Sequence, residues 1–238
     1  MYLERVFTSV RRRYNEQEIG ITQEFGKGWR PARSPEASVR FTERLDELRS
    51  SLRLLDPAII ALRSGTTYLT LGPGRGELHV PFWGNVCMLA WPELTGFDRL
   101  AGPLTNFHLA LILYYLITAD GMPSAGEWVS FADLPDGRIY SAAFQGYSGD
   151  EVVKVFGLNV DAFHNACRSA GGKPVDLASA SYIFQPLPEV SLLITYWLGD
   201  EGFASSCKIL FDKSVCHYLP IEASAILGSM LVRRLVHS

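Results

Sequence analysis

Leu104-Thr-Asn-Phe-His-Leu-Ala-Leu-Ile-Leu-Tyr-Tyr-Leu-Ile-Thr118 sets the architecture of this chain. Leu104, Phe107, His108, Leu111, Ile112, Tyr115 and Leu116 recur at helical spacing, and the opposite face is nearly as apolar. A helix apolar all round is a central one, packed on at least two sides. Its unbroken apolar run, Leu109 to Ile117, is about half of what a bilayer-spanning helix needs, and Asp120 follows closely, so a buried helix is expected and no membrane span. The other elements must wrap it.

Before it, Val39, Leu45, Leu48, Leu52 and Leu55 return near the helical period between acidic and basic residues, predicting a helix from Pro35. Asp56-Pro57 supplies an N-cap and first-turn pair for a short helix through Leu62. Thr66–Leu71 and Glu77–Trp83 read as strands joined by Gly72-Pro-Gly-Arg-Gly76. A phosphate-cradling loop would be followed by a helix; here a strand follows, and the loop is read as a hairpin.

Behind the central segment, Pro135-Asp-Gly137 marks a turn, and Asp150–Phe156 and Val160–Ala170 read as helices. Ser181–Phe184, Val190–Trp197 and Ile209–Phe211 are strand candidates, and Ile221–Val236 is a closing helix with Arg233-Arg234 at its negative end. The class expected is α+β: an antiparallel sheet against a central apolar helix and a C-terminal helix, with an N-terminal arm. The divisions are an arm over residues 1–38 and a single domain over 39–238.

Composition narrows the function classes. Of 238 residues, 47% are hydrophobic and 20% charged, so a sizeable core is available. The net charge of -3 argues against general nucleic-acid binding. Charge is uneven: ten basic and eight acidic residues lie up to Ser50, twelve and seventeen after it. The N-terminus shows no export pattern, and Cys87, Cys167, Cys207 and Cys216 are widely spread, so reduced thiols in a cytoplasmic protein are expected.

Several residues could carry chemistry. His164 and Cys167, three apart on one helix, could give a zinc ion two ligands, although cysteine is commonly a small core hydrophobe. His108 is either an axial ligand to a haem or corrinoid metal or a core histidine. Glu127, Trp128, Asp200, Glu201, Phe203, His217 and Tyr218 lie where polar and aromatic groups coincide in loops, and form the candidate ligand-binding set. No metalloprotease, nucleophile-elbow or nucleotide-loop motif occurs.

Three segments carry a resemblance: Leu116-Ile-Thr-Ala-Asp-Gly-Met-Pro-Ser-Ala-Gly-Glu-Trp-Val-Ser-Phe-Ala-Asp-Leu-Pro135, Leu198-Gly-Asp-Glu-Gly-Phe203, and His217-Tyr-Leu-Pro-Ile-Glu-Ala-Ser-Ala-Ile-Leu-Gly228. They resemble an uncharacterised bacterial and archaeal family, domain of unknown function 3786, from Leu45 onward. Members are sometimes fused to an iron–sulfur domain of the kind found beside corrinoid proteins. The resemblance implies an α+β fold and a setting in anaerobic one-carbon, corrinoid or tetrapyrrole metabolism; it supplies no catalytic residues.

The reading that results is a non-catalytic accessory protein binding a corrinoid or haem cofactor, or a partner protein. The rival is a small cytoplasmic enzyme using Cys216 or His217. The arm carries Arg11, Arg12, Arg13 and Trp29, residue types that anchor interfaces, and is expected to contact a protein partner or a second copy. Deleting residues through Arg33 is expected to leave the thermal midpoint almost unchanged while abolishing assembly seen by light scattering. A truncated chain that unfolds much earlier as a monomer would place the arm within the domain's own fold.

Overall fold

The computed structural model describes residues 35–237, with side chains from Phe41 onward. Arg11, Arg12, Arg13 and Trp29 lie outside the described residues. Helix α1 (Pro35–Leu52) turns Leu45, Leu48 and Leu52 fully into the core, as their spacing requires. Asp56 caps α2 (Pro57–Arg63), its carboxylate accepting from the Ala58 N–H at 2.8 Å. At the other end of α2 the Ser64 hydroxyl donates back to the Ile60 carbonyl.

A five-stranded antiparallel meander follows in the order β1-β2-β3-β4-β5. Its strands are β1 (Thr67–Gly72), β2 (Arg75–Phe82), β3 (Asn85–Trp91), β4 (Gly96–Asp98) and β5 (Gly102–Pro103). The glycine-rich run is a hairpin turn, with Gly74 at a φ of 67° that a side chain would resist. β3 escapes sequence reading because Val86, Met88 and Ala90 on its outer positions are as apolar as buried Cys87, Leu89 and Trp91.

The chain then leaves this sheet through α3 (Asn106–Thr118), capped by Thr105. Leu109 to Leu113 and Tyr115 to Ile117 are all buried. α1 packs along α3. Crossing by α3 separates the remaining strands from the first five, so the antiparallel strands form two sheets. The second runs β6-β10-β9-β8-β7, from β6 (Trp128–Ser130), β7 (Lys173–Val175), β8 (Ala180–Leu187), β9 (Val190–Trp197) and β10 (Ser206–Asp212).

One face of this second sheet carries the helices α4 (Ser141–Tyr147), α5 (Gly149–Phe156), α6 (Val160–Ser169) and the C-terminal α7 (Ile221–Val236). Aromatic stacking fills that layer: Phe131 lies 4.3 Å from Phe144, and Phe163 lies 4.7 Å from Tyr196, centroid to centroid. The Trp83 N–H donates to the Pro186 carbonyl at 2.9 Å, joining the two sheets. The α+β class is as expected, with a central apolar helix and a C-terminal helix. No helix among the described residues is long and apolar enough to cross a membrane.

Tyr115 is the polar anchor of α3. Its hydroxyl donates to the Ser64 carbonyl at 2.5 Å and accepts from the Glu189 N–H at 3.2 Å, while its ring stacks 5.8 Å from that of Tyr218. Burial pushes the phenol far above its ordinary pKa, so it acts as a neutral donor. Tyr115→Phe leaves both backbone partners unsatisfied and is expected to cost about 1–3 kcal/mol in chemical denaturation. A loss no larger than that of an exposed Tyr→Phe change would show that the hydroxyl ties nothing together.

Candidate ligand-binding site

The loop between α3 and β6, residues 119–127, is strapped to the segment that follows β10. Asp212 does most of this. Its carboxylate, 3% exposed, accepts from Ser124 Oγ (2.7 Å), Ala125 N (3.0 Å), Gly126 N (2.9 Å), Ser214 N (2.9 Å) and Ser214 Oγ (2.6 Å). Burial alone would raise its pKa, but the bonds from Ser214, Ser124 and Ala125 outweigh this and hold it down at about 2. Asp212 also caps the short 3-10 helix Lys213–His217, whose geometry aims His217 back towards the loop.

There His217 meets Asp120. Nδ1 of the imidazole lies 2.8 Å from Asp120 Oδ2, while Asp120 Oδ1 accepts from the Met122 N–H at 3.1 Å. Both members of the pair keep more than a quarter of their side-chain surface open. Nε2 has no hydrogen-bond partner among the described residues. A carboxylate on Nδ1 orients the ring and favours the tautomer with its proton there, which leaves the lone pair on Nε2. Tyr218, buried beneath, donates its hydroxyl to the Met122 carbonyl. The Lys213 N–H bonds the Glu127 carbonyl at 2.9 Å, and Lys213 Nζ reaches the Glu127 carboxylate at 3.0 Å. That ion pair is exposed and adds little energy.

Glu127, Trp128, His217 and Tyr218 therefore come together around Asp212, with Trp128 in register opposite it. Asp200, Glu201 and Phe203 do not join them. They form a tight turn after β9, Asp200 and Phe203 exchanging backbone bonds at 3.1 and 3.2 Å. β10 runs from that turn to Asp212, so about 20 Å separates the two groups. Phe203 is 79% exposed at its tip. Asp120, Ser124 and Asp212 were not among the sequence candidates; Asp212-Lys-Ser214 carried a recognisable capping signal, whereas Asp120 looked like a helix stop.

The remaining chemistry candidates fare differently. His164 Nδ1 is engaged at 2.6 Å with the Tyr182 hydroxyl, and Cys167 is buried, its pKa driven far up by burial. Among the described residues no group of three or more His, Cys, Asp or Glu side chains is placed to hold a metal ion. His108 lies half-buried, its ring edge-on to Phe82 at 5.8 Å, and burial together with the Arg234 charge lowers its pKa. Cys216 directs its thiol to the Lys213 carbonyl at 3.5 Å. Burial raises the Cys87 thiol to about 11 and Cys207 further still, leaving Cys216 the cysteine with surface access.

The family model described as Domain of unknown function (DUF3786) matches residues 56–234, and the chain belongs to that family. No curated protein and no solved structure matches the chain.

Asp212 gives the strap a defined acid response. Its folded pKa lies below the ordinary 3.8, so its stabilisation is complete above about pH 4 and is lost as pH falls through about 2. Asp212→Asn removes acceptor capacity that five donors use and is expected to cost about 2–4 kcal/mol at pH 7. Urea unfolding should show this gap between wild type and variant shrink by about 2 kcal/mol on acidification from about pH 5 to pH 2. A gap independent of pH would exclude the carboxylate as its source.

Proposed function

We propose that this member of the DUF3786 family is a cytoplasmic, non-catalytic accessory protein that binds a corrinoid or tetrapyrrole cofactor through His217. The Asp120–His217 pair carries the proposal. A metal held in a macrocycle requires one protein donor, whereas a bare zinc ion requires three or four. An imidazole with Nδ1 satisfied and the lone pair on Nε2 is such a single donor. Met122, 45% exposed, and the half-buried Trp128 offer apolar contact for a flat ligand beside it. When bound, the macrocyclic metal would supply the redox or ligand-exchange chemistry. The chain's own residues would ligate it (His217), set the tautomer (Asp120) and hold the loop in place (Tyr218, Asp212).

A protein partner would engage the far end of the second sheet and the arm. There Ser205 Oγ donates to the Gly157 carbonyl at 3.2 Å, and the Leu198 N–H donates to Ser179 Oγ at 3.1 Å. These bonds draw together three loops bearing the exposed Leu158, Leu177, Trp197, Leu198 and Phe203. A patch of that composition suits protein contact. In the rival reading, Cys216 or His217 serves an enzyme; it requires a Cys216 thiol that alkylates much faster than an ordinary thiol at neutral pH.

Titrating the protein with haem and with aquocobalamin is expected to shift the visible bands. His217→Ala should abolish the shift, Asp120→Asn should weaken binding by about 10-fold or more, and His108→Ala should leave it intact. Absence of any shift with the wild-type protein would overturn the cofactor assignment. A fast-reacting Cys216 in the same preparation would then favour the enzyme.

A further inference from the structure

The chain connects β2 to β3 by two residues, Trp83-Gly84, at φ of 50° and 83°. Turns with both central residues left-handed favour Asn-Gly, and a bulky aromatic at the first position is strained. Three contacts hold Trp83 there. Its N–H donates to the Pro186 carbonyl at 2.9 Å, its carbonyl accepts from Arg234 Nη2 at 3.3 Å, and its ring lies 4.9 Å beneath the Arg234 guanidinium. The indole N–H is buried and has no hydrogen-bond partner among the described residues.

Beside this pair opens a cleft of about 370 Å³, bounded by the Trp83–Asn85 turn, the Ser169–Gly171 end of α6 and the last turn of α7. That volume admits a small metabolite. No carboxylate lines it among the described residues. Arg234 has five N–H donors, and one of them goes to Trp83; among the described residues no acidic side chain pairs with it. The acid on the same side of the fold, Asp98, is already consumed by the Leu100 N–H (2.8 Å), the Ala101 N–H (3.1 Å) and, more weakly, Asn85 (3.5 Å). A guanidinium held over an indole face with one N–H on the Trp83 carbonyl has further N–H donors, and a pair of them matches two oxygens of one anion. The partial desolvation that lowers the Arg234 pKa strengthens such a pairing.

We propose that this cleft is a binding site for the carboxylate or phosphate group of a small metabolite, gripped by the further N–H donors of Arg234 over Trp83. Ser169 and Asn85 supply further polar contacts at its rim. Arg234 lies thirteen residues along α7 from Ile221, about 20 Å from the His217 end, so the two sites are separate.

The test follows the indole N–H signals of the full-length protein by NMR, Trp83 being assigned by its disappearance in Trp83→Phe. Inorganic phosphate and citrate are titrated separately against chloride of equal ionic strength. The expected result is a saturable shift of the Trp83 signal at millimolar phosphate or citrate but not with chloride; whichever anion binds tighter identifies the headgroup. Arg234→Gln should weaken binding by about 10-fold or more, and Arg234→Lys, which keeps the charge but loses the fork, by severalfold. Arg233→Gln and His217→Ala should leave it unchanged, which separates this site from the cofactor assignment. No saturable shift with either anion, or one that survives in both Arg234 variants, would overturn the proposal.

Discussion

A helix with no polar face cannot rest at the edge of anything. α3 buries residues on every side, so each neighbouring element is placed by the need to cover one of its faces. α1 takes one flank with Leu45, Leu48 and Leu52. Elsewhere Tyr115 reaches α2, the β8–β9 turn and Tyr218 at once. Its hydroxyl is what converts non-directional apolar packing into a defined register between three parts of the chain, because backbone groups buried around it have few other partners.

Buried carboxylates perform the corresponding task in the loops. Asp98 and Asp212 each collect backbone N–H groups from a turn, and both have lowered pKa values, because hydrogen bonds to the carboxylate outweigh burial at each. Asp212 thereby fixes the loop that carries Asp120 and the 3-10 helix that carries His217. The imidazole's orientation is thus inherited from a neighbouring clamp, not from the helix core. At the opposite end of α7, Arg234 has no such acidic counterpart among the described residues, and its charge lies over an aromatic face.

Long periodic elements were legible in the sequence. The bounds of β9 and α7 agree with Val190–Trp197 and Ile221–Val236, and the Gly72–Gly76 hairpin follows from its chemistry. β3 was hidden because apolar residues occupy both of its faces, and β4 and β5 are too short to show any period. Of the site, His217, Tyr218, Glu127 and Trp128 could be found because aromatic and charged residues coincide there. Asp120 could not be distinguished from an ordinary turn residue, and the local sequence around Asp212 shows at most a cap, since their bonds to the far loop exist only across tertiary contacts. Phe203 and His217 are near in sequence, yet β10 carries the chain away between them. The Trp83–Arg234 pair spans 151 positions, and no local pattern announces it.

The strap around Asp212 also has a temporal side. Its hydrogen bonds join residues 86 to 88 positions apart, and Asp120 to His217 spans 97. Contacts of such separation require large loop-closure entropy before they return any energy, so they form late on a folding trajectory. Most of the second sheet and its helices lies inside that closure. A nascent chain would therefore present its oriented imidazole only after α3 is already enclosed and β10 has been laid down. Ligand capture through His217 would report completed folding, and a chain stalled partway would expose the loop without the pair that gives it meaning.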